Sequence, residues 1–273
     1  MERYFRPSSL PDALAALAAR PFLTPLAGGT DFYPSRVVHT PDEAVLDITA
    51  LPGLCRIEPR ADHWWIPCLA TWTDIVGTAL PPVFDGLKQA ARQVGGVQIQ
   101  NAGTLAGNIC NASPAADGIP CLLALDASVE LASTVGNRVL PLAEFLLGSR
   151  KTARRPDELL LGIRIPRADE TARSVFLKLG ARRYLVISIA MVAAVIARTE
   201  DGRIARVRIA VGSCAATAIR LPALEASLTG TYGDIAIIQD VHLAPLSPIG
   251  DIRATASYRR QAVGTLLRRA LAA

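Results

Sequence analysis

The 273-residue chain is poor in the side chains that most often carry chemistry. Its three histidines, His39, His63 and His242, stand far apart, and each reads as a surface or capping histidine rather than a catalytic base. The five cysteines, Cys55, Cys68, Cys110, Cys121 and Cys214, form no C-x-x-C pair and have no histidine at ligand spacing, which argues against a metal site on this chain. An odd, scattered set of thiols fits a reduced, cytoplasmic protein, and the opening Met1-Glu2-Arg3-Tyr4-Phe5-Arg6 lacks the apolar core of a signal peptide. The longest uncharged apolar run, Tyr184 to Ala197, is 14 residues, short of the roughly 20 that cross a bilayer. It is expected to be a buried strand with a turn. Aromatic residues make up 5% of the chain and no basic stripe is interleaved with them, so nucleic acid is not the expected partner. There is no G-x-x-x-x-G-K-[ST], no G-x-G-x-x-G after a strand and no G-x-S-x-G elbow, and no close pair of carboxylates in a polar pocket can be read. Walker-type ATPases, Rossmann dehydrogenases, serine hydrolases and glycosidases are poor readings on that ground.

What is present describes a folded protein with room for a ligand. Hydrophobic residues make up 51% and mean hydropathy is +0.30, enough for one large domain or two ordinary ones. The net charge of +5, from 29 Lys+Arg against 24 Asp+Glu, is spread along the chain. Its densest points are Arg154-Arg155, Arg182-Arg183, Arg259-Arg260 and Arg268-Arg269. The last two pairs suit a C-terminal helix, where cations complement the dipole.

Ser9, Pro11 and the spacing of Leu10, Leu14 and Leu17 predict an early helix that ends by Pro21. Strands follow at Phe22 to Ala27 and Ala44 to Ile48, with the turn Gly28-Gly29-Thr30-Asp31 at the end of the first. From Cys55 to Pro166 short strands (Trp64 to Cys68, Ala127 to Ala132) surround a helix near Val83 to Gln93. After Pro166, Phe176 to Leu179, the 184–197 run and Val207 to Val211 predict an antiparallel sheet covered by two helices, one near Pro222 to Leu228 and one from Ile252 or Ser257 to the end. Gly230 to Gly250 reads as a connecting stretch. The fold class expected is α+β.

Two glycine-rich stretches carry the functional question. Gly28-Gly29-Thr30-Asp31 ends a strand, and Gly95 to Asp117 (GGVQIQNAGTLAGNICNASPAAD) holds four glycines among polar and apolar residues and is expected to be a loop. Such turns can converge their N–H groups on a phosphate, or they can be plain glycine-assisted turns beside a sheet. Composition and spacing leave both open.

The stretches Leu26-Ala27-Gly28-Gly29-Thr30-Asp31, Gln100 to Asn108 (QNAGTLAGN) and Ser113-Pro114-Ala115-Ala116-Asp117, in this order, resemble the FAD-binding medium subunit of the molybdenum hydroxylases, the xanthine dehydrogenase and carbon monoxide dehydrogenase flavoprotein type. The opening Phe5-Arg6-Pro7-Ser8-Ser9-Leu10, the segments Leu122 to Ala127 and Lys178 to Arg183, and the ending Asp251 to Arg260 extend the likeness over nearly the whole chain.

The resemblance implies a two-part FAD-binding domain of the PCMH type over 1–168, with subdomains of about 1–54 and 55–168, and a smaller C-terminal α+β domain over 169–273. It implies non-covalent FAD. Pro25, Leu26, Ala27, Gly28, Gly29, Thr30, Asp31 and Phe32 would wrap the pyrophosphate, and Thr104, Leu105, Ala106, Gly107 and Asn108 would form the second glycine loop. Asp117 would contact the flavin nucleotide, Lys178 would lie near the ring, and Val94 and Leu160 would pack beside it, core packing being the equal alternative for those two. Two departures from the family pattern stand out: Ala106 replaces a glycine, and Tyr184-Leu185-Val186-Ile187-Ser188 lacks the usual acidic residue before the isoleucine. Tyr184 would then shield the ring or simply start a buried strand.

The function implied is electron transfer in an oxidoreductase complex. A large subunit would hold the molybdenum cofactor, a small subunit would hold [2Fe-2S] clusters, and this chain would pass electrons to an external acceptor in a hetero-oligomer, for which a dimer of heterotrimers is one arrangement. The alternative is an FAD-binding assembly subunit without redox turnover.

Overall fold

In the computed structural model the described residues are 3–36, 43–167 and 170–272. His39 and the expected boundary at 168/169 lie outside them. The chain opens with β1 (Tyr4–Phe5), α1 (Leu10–Ala19), β2 (Thr24–Leu26) and β3 (Val45–Asp47). Ser9 caps α1 by accepting from the Asp12 N–H, and Leu14 and Leu17 are buried as their spacing predicts. The three strands form a parallel sheet in the order β1-β3-β2.

A second layer follows with β4 (Glu58–Pro59), β5 (His63–Pro67), α2 (Trp72–Gly77), α3 (Asp85–Ala91), α4 (Val97–Ala102), α5 (Leu105–Asn111) and α6 (Gly118–Ala124). Then come β6 (Ser128–Ser133), β7 (Gly136–Pro141), α7 (Leu142–Phe145), β8 (Leu146–Gly148), β9 (Lys151–Thr152) and β10 (Leu159–Pro166). The antiparallel sheet runs β4-β5-β10-β6-β7, while β8 and β9 pair separately. The stretch Gly95 to Asp117, expected as a loop, instead holds α4 and α5 separated by Gly103. The Thr104 hydroxyl accepts from the Gly107 N–H at 2.9 Å and starts α5, so a hydroxyl one residue after the glycine turns a loop into a helix start.

The C-terminal part consists of β11 (Arg173–Leu179), β12 (Ala190–Arg198), β13 (Ile204–Gly212), β14 (Ile219–Arg220), α8 (Pro222–Leu228) and α9 (Ala256–Leu271). Its antiparallel sheet has the order β11-β12-β13-β14. On β12, Met191, Ala193 and Val195 belong to the core shared with the preceding layers, whereas Ala190, Val192 and Ala194 belong to the core beneath α8 and α9. The two-residue period of a strand sends alternate side chains to opposite faces, so one strand is the wall between two cores.

The apolar run from Tyr184 is a strand only from Ala190 onward. Leu179 pairs with Ala190, which makes residues 180–189 the connection of the β11–β12 hairpin. Leu185 has φ +52° and the Arg182 guanidinium holds its carbonyl, so the backbone turns. Tyr184, Leu185 and Ile187 are exposed, and Tyr184 therefore does not start a buried strand. All five cysteines are free, with Cys68, Cys121 and Cys214 buried. His63 and His242 are both buried, and His242 Nδ1 accepts from the Gln239 N–H at 3.1 Å. Among the described residues no helix is long and apolar enough to cross a membrane, and no group of His, Cys, Asp and Glu is placed to hold a metal ion.

A buried arginine fixes the entry to α9. Arg259 donates to the Ser213 carbonyl at 3.3 Å and to Asp251 at 2.8 Å, and it also bonds the Ile189 carbonyl at 2.5 Å. Asp251 further accepts from the N–H groups of Arg253 and Ala254. These bonds hold its carboxyl below the ordinary 3.8, at about 2, the Arg253 N–H being the largest cause. A carboxylate more acidic folded than unfolded stabilises above its unfolded value and stops doing so as pH falls through the folded one. Asp251→Asn is therefore expected to lower the melting temperature at pH 7, with the gap to the native chain closing as pH falls from about 4 to 2. A constant gap across thermal melts in that window would remove this role.

Candidate cofactor-binding site

The end of β2 and the start of α5 meet in one cavity of about 760 Å³, within the roughly 300–1,000 Å³ common for small-molecule sites. Residues Pro25 through Phe32 line one side, and Thr104, Ala106, Gly107 and Asn108 line another. The first segment touches the residues that lead into the second, Ala102 and Gly103. A Cβ on Gly28 would sit 1.8 Å from the Ala102 carbonyl oxygen, so backbone packs on backbone there. Gly29 has φ +66°, a conformation that glycine adopts freely, and it packs on the Tyr33 ring.

This turn leaves donors unused. Gly28, Gly29, Thr30, Asp31 and Phe32 donate no backbone hydrogen bond among the described residues, whereas Gly29 and Asp31 accept from the Tyr33 and Ser35 N–H groups. Successive free N–H groups at a cavity wall form an anion-binding nest. Asn108 adds a buried side-chain oxygen with no hydrogen-bond partner among the described residues. Free donors, a glycine contact that any Cβ would fill, and an apolar flank from Val94 and Leu160 fit a phosphate-bearing cofactor with an aromatic ring.

The structure gathers most of the residues that the sequence pointed to, but not all. Leu105 is fully buried in the core behind the cavity. The methyl of Ala106 also belongs to the buried core, although the residue reaches the wall. Asp117, Lys178 and Tyr184 do not line the cavity. Asp117 and Lys178 instead form a buried pair: Lys178 Nζ donates to Asp117 Oδ2 at 2.6 Å, and the Ser188 hydroxyl donates to Asp117 Oδ1 at 2.6 Å. Burial pushes the Asp117 carboxyl up, and Lys178 opposes it. The triad ties the start of α6 to β11 and to the hairpin connection bearing Tyr184.

Three arginines on the wall were missed. Arg36 is paired with Glu43 at 2.6 Å and stacks on the Phe32 ring at 3.8 Å. Arg150 bonds Asp31 at 3.2 Å and Asn111 at 2.6 Å. Arg154 lies nearby, where β9 leads to β10. Arg154 was visible in the sequence as half of a basic pair, but nothing local separates a wall arginine from a solvated one. Two thiols were missed as well. Burial pushes Cys68 up to about 12, so it supplies no thiolate near neutral pH, whereas Cys110 is exposed at the wall.

Comparison with known proteins agrees with this geometry. Residues 1–168 match the family model of the FAD binding domain in molybdopterin dehydrogenase, and residues 176–273 match that of the CO dehydrogenase flavoprotein C-terminal domain. The nicotine 6-hydroxylase medium subunit of Paenarthrobacter nicotinovorans is 30% identical over 98% of this chain and 95% of its own. The caffeine dehydrogenase subunit beta of a Pseudomonas species is 32% identical over 98% of this chain and 93% of its own. A chain of carbon monoxide dehydrogenase from Hydrogenophaga pseudoflava superposes with a TM-score of 0.91 at 28% identity, covering 99% of this chain and 96% of that one.

The buried pair makes a direct prediction. Lys178→Met leaves the Asp117 carboxylate without its cation in a site about 5% exposed, and losing one partner of such a pair costs about 3–5 kcal/mol. Equilibrium denaturation is the check, and a loss below about 1 kcal/mol would mean that water already reaches the pair.

Proposed function

The chain belongs to the family of FAD-binding medium subunits of molybdenum-containing dehydrogenases, and from that premise we propose that it is the electron-transfer flavoprotein of such a complex. The observation that carries this reading is the cavity formed where the free N–H groups of Gly28 to Phe32 face the start of α5 at Thr104 to Asn108. Bound FAD would supply the redox chemistry, taking electrons from an iron–sulfur partner and passing them to an external acceptor. The protein's own part is to bind, orient and shield.

On this reading the Gly28 turn and Gly107 take the pyrophosphate, while Val94 and Leu160 flank the ring. Asp117 and Lys178 are assigned to the ring end, where the buried pair would set the polarity at the flavin edge, and Tyr184 on the hairpin connection would cover it. A large subunit with the molybdenum cofactor and a small subunit with [2Fe-2S] clusters are the partners assigned. The division at about residue 168 separates the FAD-binding domain from the C-terminal domain. The raised thiol of the buried Cys68 supports a flavin-based relay on this chain, since it is no available thiolate partner for the ring.

The natively purified protein is expected to be yellow, to hold about one FAD per chain, and to release it on denaturation without proteolysis. A colourless chain that takes up no FAD would overturn the reading and leave an assembly role. Gly28→Ala is expected to lose most of the flavin, because its methyl meets the Ala102 carbonyl at 1.8 Å. Ala106→Gly, which removes a methyl packed in the core, is expected to change flavin content far less. The absorbance ratio of flavin to protein reads both variants, and equal losses would show that the turn does not set binding.

A further inference from the structure

The cavity wall carries both signs of charge, and the pairing among them is uneven. Among the described residues Arg36, Arg150 and Arg154 line it together with the carboxylates Asp31 and Glu43. Arg36 is held by Glu43 at 2.6 Å, and Arg150 is held by Asp31 at 3.2 Å. Arg154 has no carboxylate partner there. Its Nη1 donates to the carbonyls of Arg155 at 3.1 Å, Pro156 at 3.5 Å and Glu158 at 2.8 Å. Of the two acids that follow in sequence, Asp157 makes no ion pair with Arg154 among the described residues, and Glu158 is committed to Arg138 at 2.5 and 2.8 Å.

Carbonyl oxygens fix a guanidinium without cancelling its charge, so Arg154 is positioned and, among the described residues, has no carboxylate bonded to it. Its charge reaches the cavity, because Arg154 lines the same space as Gly107 and Asn108 of the second glycine segment. Neutral N–H donors orient a diphosphate but leave most of its charge to be balanced, and a preorganised guanidinium is the residue suited to that task.

Resting on the FAD reading above, we propose that Arg154 is the charged anchor for the diphosphate half of the cofactor, a role neither glycine segment fills. The ring half of the ligand carries no charge when oxidised, so Arg154 should separate ligands by their phosphates. It should contribute to FAD and little to riboflavin.

The test uses the full chain freed of flavin, with binding of FAD and of riboflavin followed by flavin fluorescence at two salt concentrations. Arg154→Gln is expected to weaken FAD roughly tenfold or more, the scale of one charge-assisted hydrogen bond, and to leave riboflavin within about twofold. The FAD defect should shrink as salt rises, and Arg154→Lys should recover most of it by keeping the charge. Equal weakening of FAD and riboflavin would reduce Arg154 to a packing role and overturn the proposal. So would an Arg154→Gln chain that binds oxidised FAD as the native chain does, and a lowered flavin reduction potential in that variant would place the charge at the reduced ring instead. Failure of the native chain to bind FAD would overturn the underlying reading together with this one. Thermal melts of the flavin-free variants separate misfolding from lost binding.

Discussion

The contact between Gly28 and the Ala102 carbonyl is the constraint on which the site depends. It joins the end of a parallel strand to the helical pair α4 and α5, and no side chain fits between them. Because the two backbones meet, the turn after β2 is held open, and the N–H groups of Gly28 to Phe32 have no backbone acceptor among the described residues. Had any Cβ stood at residue 28, the turn would have to move off α4 and the cavity would lose one wall. The cost of leaving donors unpaired is tolerable only where a ligand or water takes them.

A second layer of organisation links this cavity to the C-terminal sheet. β12 is buried on both faces, so the sheet cannot move without opening two cores. Polar ties cross the same boundary. Arg208 donates to the Ala124 carbonyl at 2.7 Å and pairs with Asp126 at 2.8 Å, and the Asp117, Lys178 and Ser188 triad joins α6 to β11 and its hairpin connection. Buried pairs of this kind add little net stability compared with apolar packing, but they penalise any arrangement that separates the partners. The hairpin connection with Tyr184 is thereby held at its base while its tip stays exposed.

The scarcity of catalytic side chains has a structural counterpart. The wall thiol of Cys68 is kept protonated by burial, both described histidines are buried, and the wall carboxylates are paired with arginines. What remains is a set of backbone donors, an apolar flank and an excess of positive charge. That inventory holds a cofactor and sets its surroundings, and it leaves the chemistry to the cofactor.

The sequence by itself determined the α+β class, the α1 cap at Ser9, the C-terminal helices and the glycine segments, because these follow from local rules of capping, periodicity and turn chemistry. The ordered glycine motifs also identified the family, and with it the cofactor. Tertiary structure alone decided that Gly95 to Asp117 is helical rather than loop, since Thr104 acts as a cap only once the chain turns at Gly103. It decided as well that the apolar run becomes a strand at Ala190 rather than Tyr184, because the pairing of Leu179 with Ala190 sets where the hairpin closes. The arginines on the cavity wall were equally beyond local reading. Whether a guanidinium is neutralised depends on which carboxylate folding brings beside it, and for Arg36, Arg150 and Arg154 that is a fact of three-dimensional packing.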